Sequence, residues 1–298
     1  MTEPQMGGTY DQLLALARWS EANGLTSFAR SDHYYWRGEP APDATDAFAT
    51  LAGMARDTAT IRLAVLVTPI TFRHPAVIAK NAATIDQMSG GRLDLGVGTG
   101  WMEAEHQALG LPFPDWSERF ARLEEALGYL DAAFENDDSG FEGHYYQLEA
   151  DVRPKPEGIR LIVGGQGKKR TPSLAGRHAD EYNHFMAPAA EIAPKIALMR
   201  ETAAGREVTV SVMGAPLVGR TDSEYRERLE QAAARRDLSP EAMEQRLSDN
   251  GVPFGTPSRA AETMRALEEA GVDKWYVQWL DPADLDGFAA TIEALRAG

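Results

Sequence analysis

Along the chain, short apolar runs alternate with longer amphipathic stretches in which apolar positions recur every three to four residues. The runs at 25–29, 61–67, 93–97, 160–163, 181–185, 208–213 and 274–279 predict strands. A weaker run at 2–5 makes an eighth, which the chain enters almost at its first residue. Between them, 8–23, 43–57, 74–88, 117–134, 171–178, 189–204, 222–236, 258–270 and 282–296 read as helices. Their ends carry helix punctuation: Thr9 as N-cap, Pro75 in a first turn, and Gly24 and Gly90-Gly91 as stops. Segment 139–149 reads as a hairpin excursion and 239–254 as irregular or short helix.

Strand–helix alternation implies parallel strands joined by crossover helices. Eight strands with eight helices is the count of a (β/α)8 TIM barrel, α/β in class, here with insertions and a short or truncated first strand. All 298 residues fit one such domain, 1–298. An open doubly wound sheet is the alternative that the length and the strand count disfavour.

The 43% hydrophobic content supports a sizeable core. The net charge of −15 disfavours nucleic acid or an anionic membrane as a partner. With no cysteine there is no disulfide, thiolate metal site or cysteine nucleophile. No signal-peptide pattern opens the sequence and no window reaches the length of a membrane span, so a cytoplasmic location is expected.

In a barrel of this kind chemistry sits on the loops that follow the strands. After the second strand comes Ser31-Asp32-His33-Tyr34-Tyr35-Trp36. Asp32 can order a neighbour, His33 can move a proton near neutral pH, and the aromatics, Tyr34 and Trp36 among them, can wall a flat ligand. After the third, Arg73 and His74 precede a helix, where they face a ligand or cap the helix. After the fourth, Gly96-Val97-Gly98-Thr99-Gly100 leads to Trp101, Glu103 and Glu105. These glycines let a backbone come close to a ligand. They lack the spacing of a dinucleotide fold. A class I methyltransferase motif would have to open the domain, and here three strand–helix units precede it.

After the fifth strand, Gly164-Gly165-Gln166-Gly167-Lys168-Lys169-Arg170 opens a helix, a ready anion site. Segment 153–177 holds seven basic side chains against the single Glu157, inside an acidic chain. Asn183 at the sixth strand end can bond a ring or a phosphate. No glycosidase carboxylate pair, GxSxG, HExxH or other metal-ligand cluster stands out, so no metal is expected and an organic cofactor should supply the reactivity.

The segments SDHYYW, LVTPITFRHPAVIAKNAATIDQMSGGRLDLGVGTGWMEAEHQALG, VGGQGKKRTPSLAGRHADEYN and GTPSRAAETMRALEEAGVD together resemble the luciferase-like monooxygenase superfamily, most closely its coenzyme F420-dependent oxidoreductase branch. The resemblance implies a bacterial-luciferase-like barrel, dimeric, with a flavin or deazaflavin across its strand ends. Asp32 and the backbone Val65, Leu66, Val67 and Thr68 would lie against the ring, with a non-proline cis peptide near Val65–Leu66. Gly164, Gly165, Gln166 and Gly167, with Lys168, Arg170 and Asn183, would hold the rest of the cofactor. His33 takes the acid/base position of the sugar-phosphate dehydrogenase members, while Trp101 stands where those members carry a catalytic Glu.

The expected function is therefore hydride transfer between coenzyme F420 and a small organic substrate. His33, Glu103 and Glu105 are the candidate catalytic residues, and Tyr34, Trp36, Arg73 and Trp101 line the substrate pocket, which slightly favours an apolar or aromatic substrate. The alternatives are an FMN-dependent two-component monooxygenase, with a separate reductase as partner, and a non-catalytic flavin-binding protein.

Overall fold

The computed structural model describes residues 1–35, 44–135 and 140–298. Its main sheet has seven parallel strands in the order β1 (Ser27–Arg30), β2 (Arg62–Pro69), β3 (Leu93–Gly98), β6 (Arg160–Gly164), β7 (Glu181–Phe185), β8 (Thr209–Gly214) and β11 (Lys274–Val277). The intervening labels belong to two small ladders. One is the antiparallel hairpin β4 (Phe141–Glu142) with β5 (Gln147–Leu148), and the other the parallel pair β9 (Leu217–Val218) with β10 (Phe254–Gly255).

The expected strand at 2–5 shrinks to one residue. Thr2 forms parallel bridges to both Arg30 and Trp279, so it occupies the eighth position between the outer strands β1 and β11. Thr2 donates its N–H to Ala29 and accepts from Ser31, while Trp279 donates to Met1. Pro4 has no N–H to give to a ladder, and Pro4–Met6 turns into a 3-10 helix instead.

The helices are α1 (Tyr10–Ala22), α2 (Ala47–Asp57), α3 (Pro75–Ser89), α4 (Glu103–Leu109), α5 (Trp116–Phe134), α6 (Arg170–His178), α7 (Ala189–Ala203), α8 (Asp222–Ala234), α9 (Pro240–Asp249), α10 (Pro257–Glu269) and α11 (Leu285–Arg296). Local chemistry sets their ends. Thr9 and Gln12 cap α1 reciprocally, with Gln12 N–H to Thr9 Oγ1 at 3.3 Å and Thr9 N–H to Gln12 Oε1 at 2.9 Å. At α3, His74 Nδ1 accepts from the Ala76 N–H at 3.1 Å, Pro75 opens the helix and Gly90 closes it in the left-handed region. His74 is thus a helix cap rather than a ligand-facing group. Segment 239–254 contains the regular helix α9, N-capped by Ser239. Helix α4 lies in what reads as a loop. The predicted start of α2 at Asp43, and Ser139 of the excursion, lie outside the described residues.

Alternate residues of each strand face opposite ways. Leu63 and Val65 of β2 and Leu93, Leu95 and Val97 of β3 join the large core beneath the helices. Ala29, Ala64, Leu66, Ile162, Met213 and Tyr276, on the other faces, form a second, smaller cluster. Its members are small or few, and polar residues fill the remaining positions: Arg62 pairs with Asp94 at 2.7 Å, and Lys274 with Glu181 at 3.0 Å. All four sit in the first half of their strands, so the C-terminal strand ends stay open for a site.

Candidate active site

A cavity of about 640 Å³ opens at those ends. Its size suits an organic cofactor together with a small molecule. Six neighbouring strands build it: Ser31 and His33 follow β1, Leu66, Val67 and Pro69 belong to β2, and Gly98 to Met102 continue β3. Gly164 to Lys168 continue β6, Asn183 lies on β7 and Met213 on β8.

His33 stands on the cavity wall. Its Nδ1 is 2.8 Å from Glu105 Oε2, and Glu105 is fully buried. The other carboxylate oxygen, Oε1, accepts from the Tyr34 N–H at 2.6 Å and the Tyr35 N–H at 3.0 Å. One carboxylate thus folds the loop after β1 and orients the imidazole. Burial disfavours the imidazolium, but the hydrogen bond and charge of Glu105 outweigh it and raise the His33 pKa above 6.5. Nδ1 is taken by Glu105, so Nε2 is the nitrogen left for chemistry. Trp101 stands edge-on to the ring at 5.7 Å between centroids.

Asp32, one residue earlier, points elsewhere. It is fully buried and chelated by Arg73, with Arg73 Nη2 at 3.3 Å from Oδ1 and Nη1 on Oδ2. The same guanidinium reaches Thr68 Oγ1 at 3.2 Å, Asp46 at 2.6 Å and the Tyr34 hydroxyl. Tyr34 in turn donates to Asp46 at 2.6 Å. Burial opposes the charge on Arg73, yet Asp32 keeps its pKa raised. None of Asp32, Tyr34, Thr68 or Arg73 is among the residues lining the cavity. They form a closed polar cluster behind its wall.

Strand β2 carries a bulge. Val65 pairs with Leu95 and Thr68 with Val97, so two residues, Leu66 and Val67, oppose the single Gly96. The non-proline cis bond is Leu66–Val67, one peptide bond after the expected place. Three glycines make room for Val67. A Cβ on Gly96 would lie 2.9 Å from Val67 Cγ1, one on Gly98 2.8 Å from Cγ2 and one on Gly164 2.7 Å from Cγ1. Gly96 and Gly98 of β3, expected to admit a ligand, therefore admit Val67 first. Val65 itself packs outward into the large core.

After β6 the chain turns through Gly165, whose φ of +147° suits glycine, and its N–H bonds the Asn183 carbonyl at 3.0 Å. Lys169 begins α6 without a side-chain cap, which leaves first-turn N–H groups at the cavity edge. Lys168 and Thr171 line the cavity there. Asn183 lines it too, and its amide donates to Ser211 Oγ at 2.8 Å.

Of the remaining expected residues, Glu103 is exposed, bonds Gln107 at 3.1 Å and lies off the cavity. Arg170 lies over the Phe120 ring at 4.7 Å and within 3.9 Å of Glu124, also off the cavity lining. Trp36 lies outside the described residues. Two buried polar lining residues were given no role in the sequence reading. Glu3 accepts from Gln5 at 2.6 Å and Gln278 at 2.7 Å. His106 lies between the Met102 carbonyl, 2.8 Å from Nδ1, and the Thr71 hydroxyl, 2.6 Å from Nε2. Glu3 lies inside the run expected as a strand at 2–5, and becomes a strand-end residue only because that strand shrinks to Thr2.

A parallel barrel with a glycine-edged cavity and an oriented histidine at its strand ends defines an enzyme of the (β/α)8 class. The profile of the luciferase-like monooxygenase family matches residues 1–274, and the chain belongs to that family. It is 30% identical over 288 residues to an F420-dependent glucose-6-phosphate dehydrogenase of Amycolatopsis mediterranei, covering 94% of this chain and 84% of the relative. It is 38% identical over 178 residues to the like-named protein of Kineococcus radiotolerans, over 57% of this chain and 51% of that one. Among solved structures, the F420-dependent tetrahydromethanopterin reductase of Methanopyrus kandleri superposes with a TM-score of 0.72 at 22% identity, over 93% of this chain and 92% of the other. A monooxygenase of Streptomyces bottropensis reaches 0.79 at 19% identity, over 96% and 90%. At such identities these two show the fold.

Proposed function

We propose that the protein binds a deazaflavin of the coenzyme F420 type across the strand ends and exchanges a hydride between it and a small organic molecule. The observation that carries this reading is the single cavity joining a proton-transfer group to an anion cradle: His33 at one wall, and the uncapped start of α6 with Lys168 at another. The names of the two sequence relatives support the choice of cofactor.

The donor set fits such a group. A flat ring finds an apolar bed at Leu66, Val67 and Gly98, and an anionic tail finds the N–H groups of α6 and the Lys168 ammonium. Gly167 keeps that approach open, since a side chain there would run into Thr171. When bound, a deazaflavin supplies a carbon, C5, that takes up or returns a hydride. The protein supplies the rest: Nε2 of His33 takes the hydroxyl proton of an alcohol, or gives one to a carbonyl oxygen, while Glu105 fixes the ring and stabilises the imidazolium.

Fluorescence titration with coenzyme F420, run beside FMN, tests the reading. Saturable deazaflavin binding with little response to FMN is expected. Tight FMN binding without deazaflavin binding refutes it and points to the monooxygenase alternative. Dimerisation, expected from the family resemblance, is checked by light scattering.

A further inference from the structure

The cavity has a charge pattern that discriminates among substrates. Among the described lining residues, Lys168 is the one permanent cation, and it stands beside the glycine turn that leads into α6. Three other described cations of this region are engaged elsewhere. Arg73 is held by Asp32 and Asp46, and Arg170 by Phe120 and Glu124. Arg119 lies under the Phe113 ring at 3.7 Å and the Trp116 ring at 4.8 Å, off the lining. Against Lys168 the cavity presents two buried carboxylates, Glu3 and Glu105. With a cofactor tail on Lys168, a second phosphate would meet these two carboxylates and, among the described lining residues, no second permanent cation, which disfavours it in a low-dielectric site.

The mouth has the opposite character. Seven large apolar side chains stand exposed among the described residues, and three of them, Trp101 (62% exposed), Trp116 (54%) and Phe185 (41%), line this one cavity. Exposed aromatic surface gathered at the entrance of a site is surface that a ligand covers. Trp101 also stands beside the imidazole that moves the proton, so whatever packs on it has its reacting oxygen near Nε2.

Resting on the deazaflavin reading, we propose that the substrate is an uncharged alcohol–carbonyl couple with a planar apolar body, selected chiefly by Trp101, and that sugar phosphates are excluded. In the oxidative direction the carbinol C–H and O–H bonds break and a C=O bond forms. The hydride pair passes to the deazaflavin and the proton to His33 Nε2. The substrate is oxidised and the deazaflavin reduced, so electrons and protons balance. No anionic group of the substrate is needed for binding, because aromatic contact supplies its affinity.

The test compares wild type with Trp101→Ala and Trp101→Glu, each titrated with coenzyme F420. At 62% exposure the replaced ring contributes little to folding. Two further ligands, acetophenone and glucose 6-phosphate, are titrated by calorimetry on both cofactor-free and cofactor-loaded protein. Turnover of 1-phenylethanol and of glucose 6-phosphate is followed at the deazaflavin absorbance. The expected result is acetophenone binding, turnover of 1-phenylethanol and, on the cofactor-loaded protein, neither with the sugar phosphate. Each Trp101 variant should lose about tenfold in acetophenone affinity and raise KM similarly, with cofactor affinity unchanged. Glucose 6-phosphate turned over as well as the aromatic alcohol, or acetophenone affinity indifferent to Trp101, overturns the proposal. Failure of the cofactor titration alone sinks the deazaflavin reading, while acetophenone binding to cofactor-free protein still decides the ligand class.

Discussion

Asp32 and His33 are neighbours in the sequence, and each is paired with one strongly charged side chain, yet they belong to different machines. Asp32, Arg73, Tyr34 and Asp46 satisfy one another and close off. His33 and Glu105 leave one nitrogen over, and that remainder is at the cavity. A dense cluster of charge marks a reactive site only when its hydrogen-bond account does not close within the protein.

The sharpest way to break this contrast is to remove each half. His33→Ala should lower kcat by about 10²–10⁴-fold, the usual worth of a positioned acid/base, with little change in cofactor affinity. If turnover survives, the chemistry lies elsewhere on the wall. Asp32→Ala should do the reverse and cost about 3 kcal/mol in urea unfolding, because Arg73 loses its bidentate partner in a mostly buried place. Gly96→Ala should cost roughly 1–3 kcal/mol and weaken cofactor binding, since the added methyl meets the Val65 carbonyl and Val67. Glu105→Gln gives a shift rather than a loss. The native His33 pKa is raised, so imidazolium persists above pH 6.5, and alcohol oxidation, which needs the neutral ring, falls as pH drops through that raised value. The pair's stabilising contribution is present below pH 6.5 and fades as pH climbs through the folded pKa. With the Glu105 charge removed, the acidic limb of kcat/KM should move to lower pH. The smallest expected change is at the anion cradle, where Lys168→Ala should weaken deazaflavin binding about tenfold and flatten its salt dependence.

The barrel was legible because its signal is periodic and repeated: seven apolar runs at the right spacing, and helix stops at Gly24 and Gly90-Gly91. Thr2 was ambiguous because one bridging residue has no period. At the site, residue types and strand ends were legible, but direction was not. The sequence does not tell that Arg73 turns toward Asp32, or that Glu105 faces the cavity while Glu103, two residues away on α4, does not. Those choices follow from helical phase and from which partners lie within hydrogen-bond reach. Helix α4 itself was hidden by its shortness, seven residues with no side-chain cap.

The three glycines around Val67 divide the molecule into parts that evolution and engineering can treat differently. Gly96, Gly98 and Gly164 come from two strands and converge on one valine, so a change at any of them is felt by the others through that side chain. The rim residues Trp101, Trp116 and Phe185 stand on separate segments and share no such constraint. New substrate ranges should therefore be reachable by diversifying the rim one position at a time, while the bed must be inherited whole.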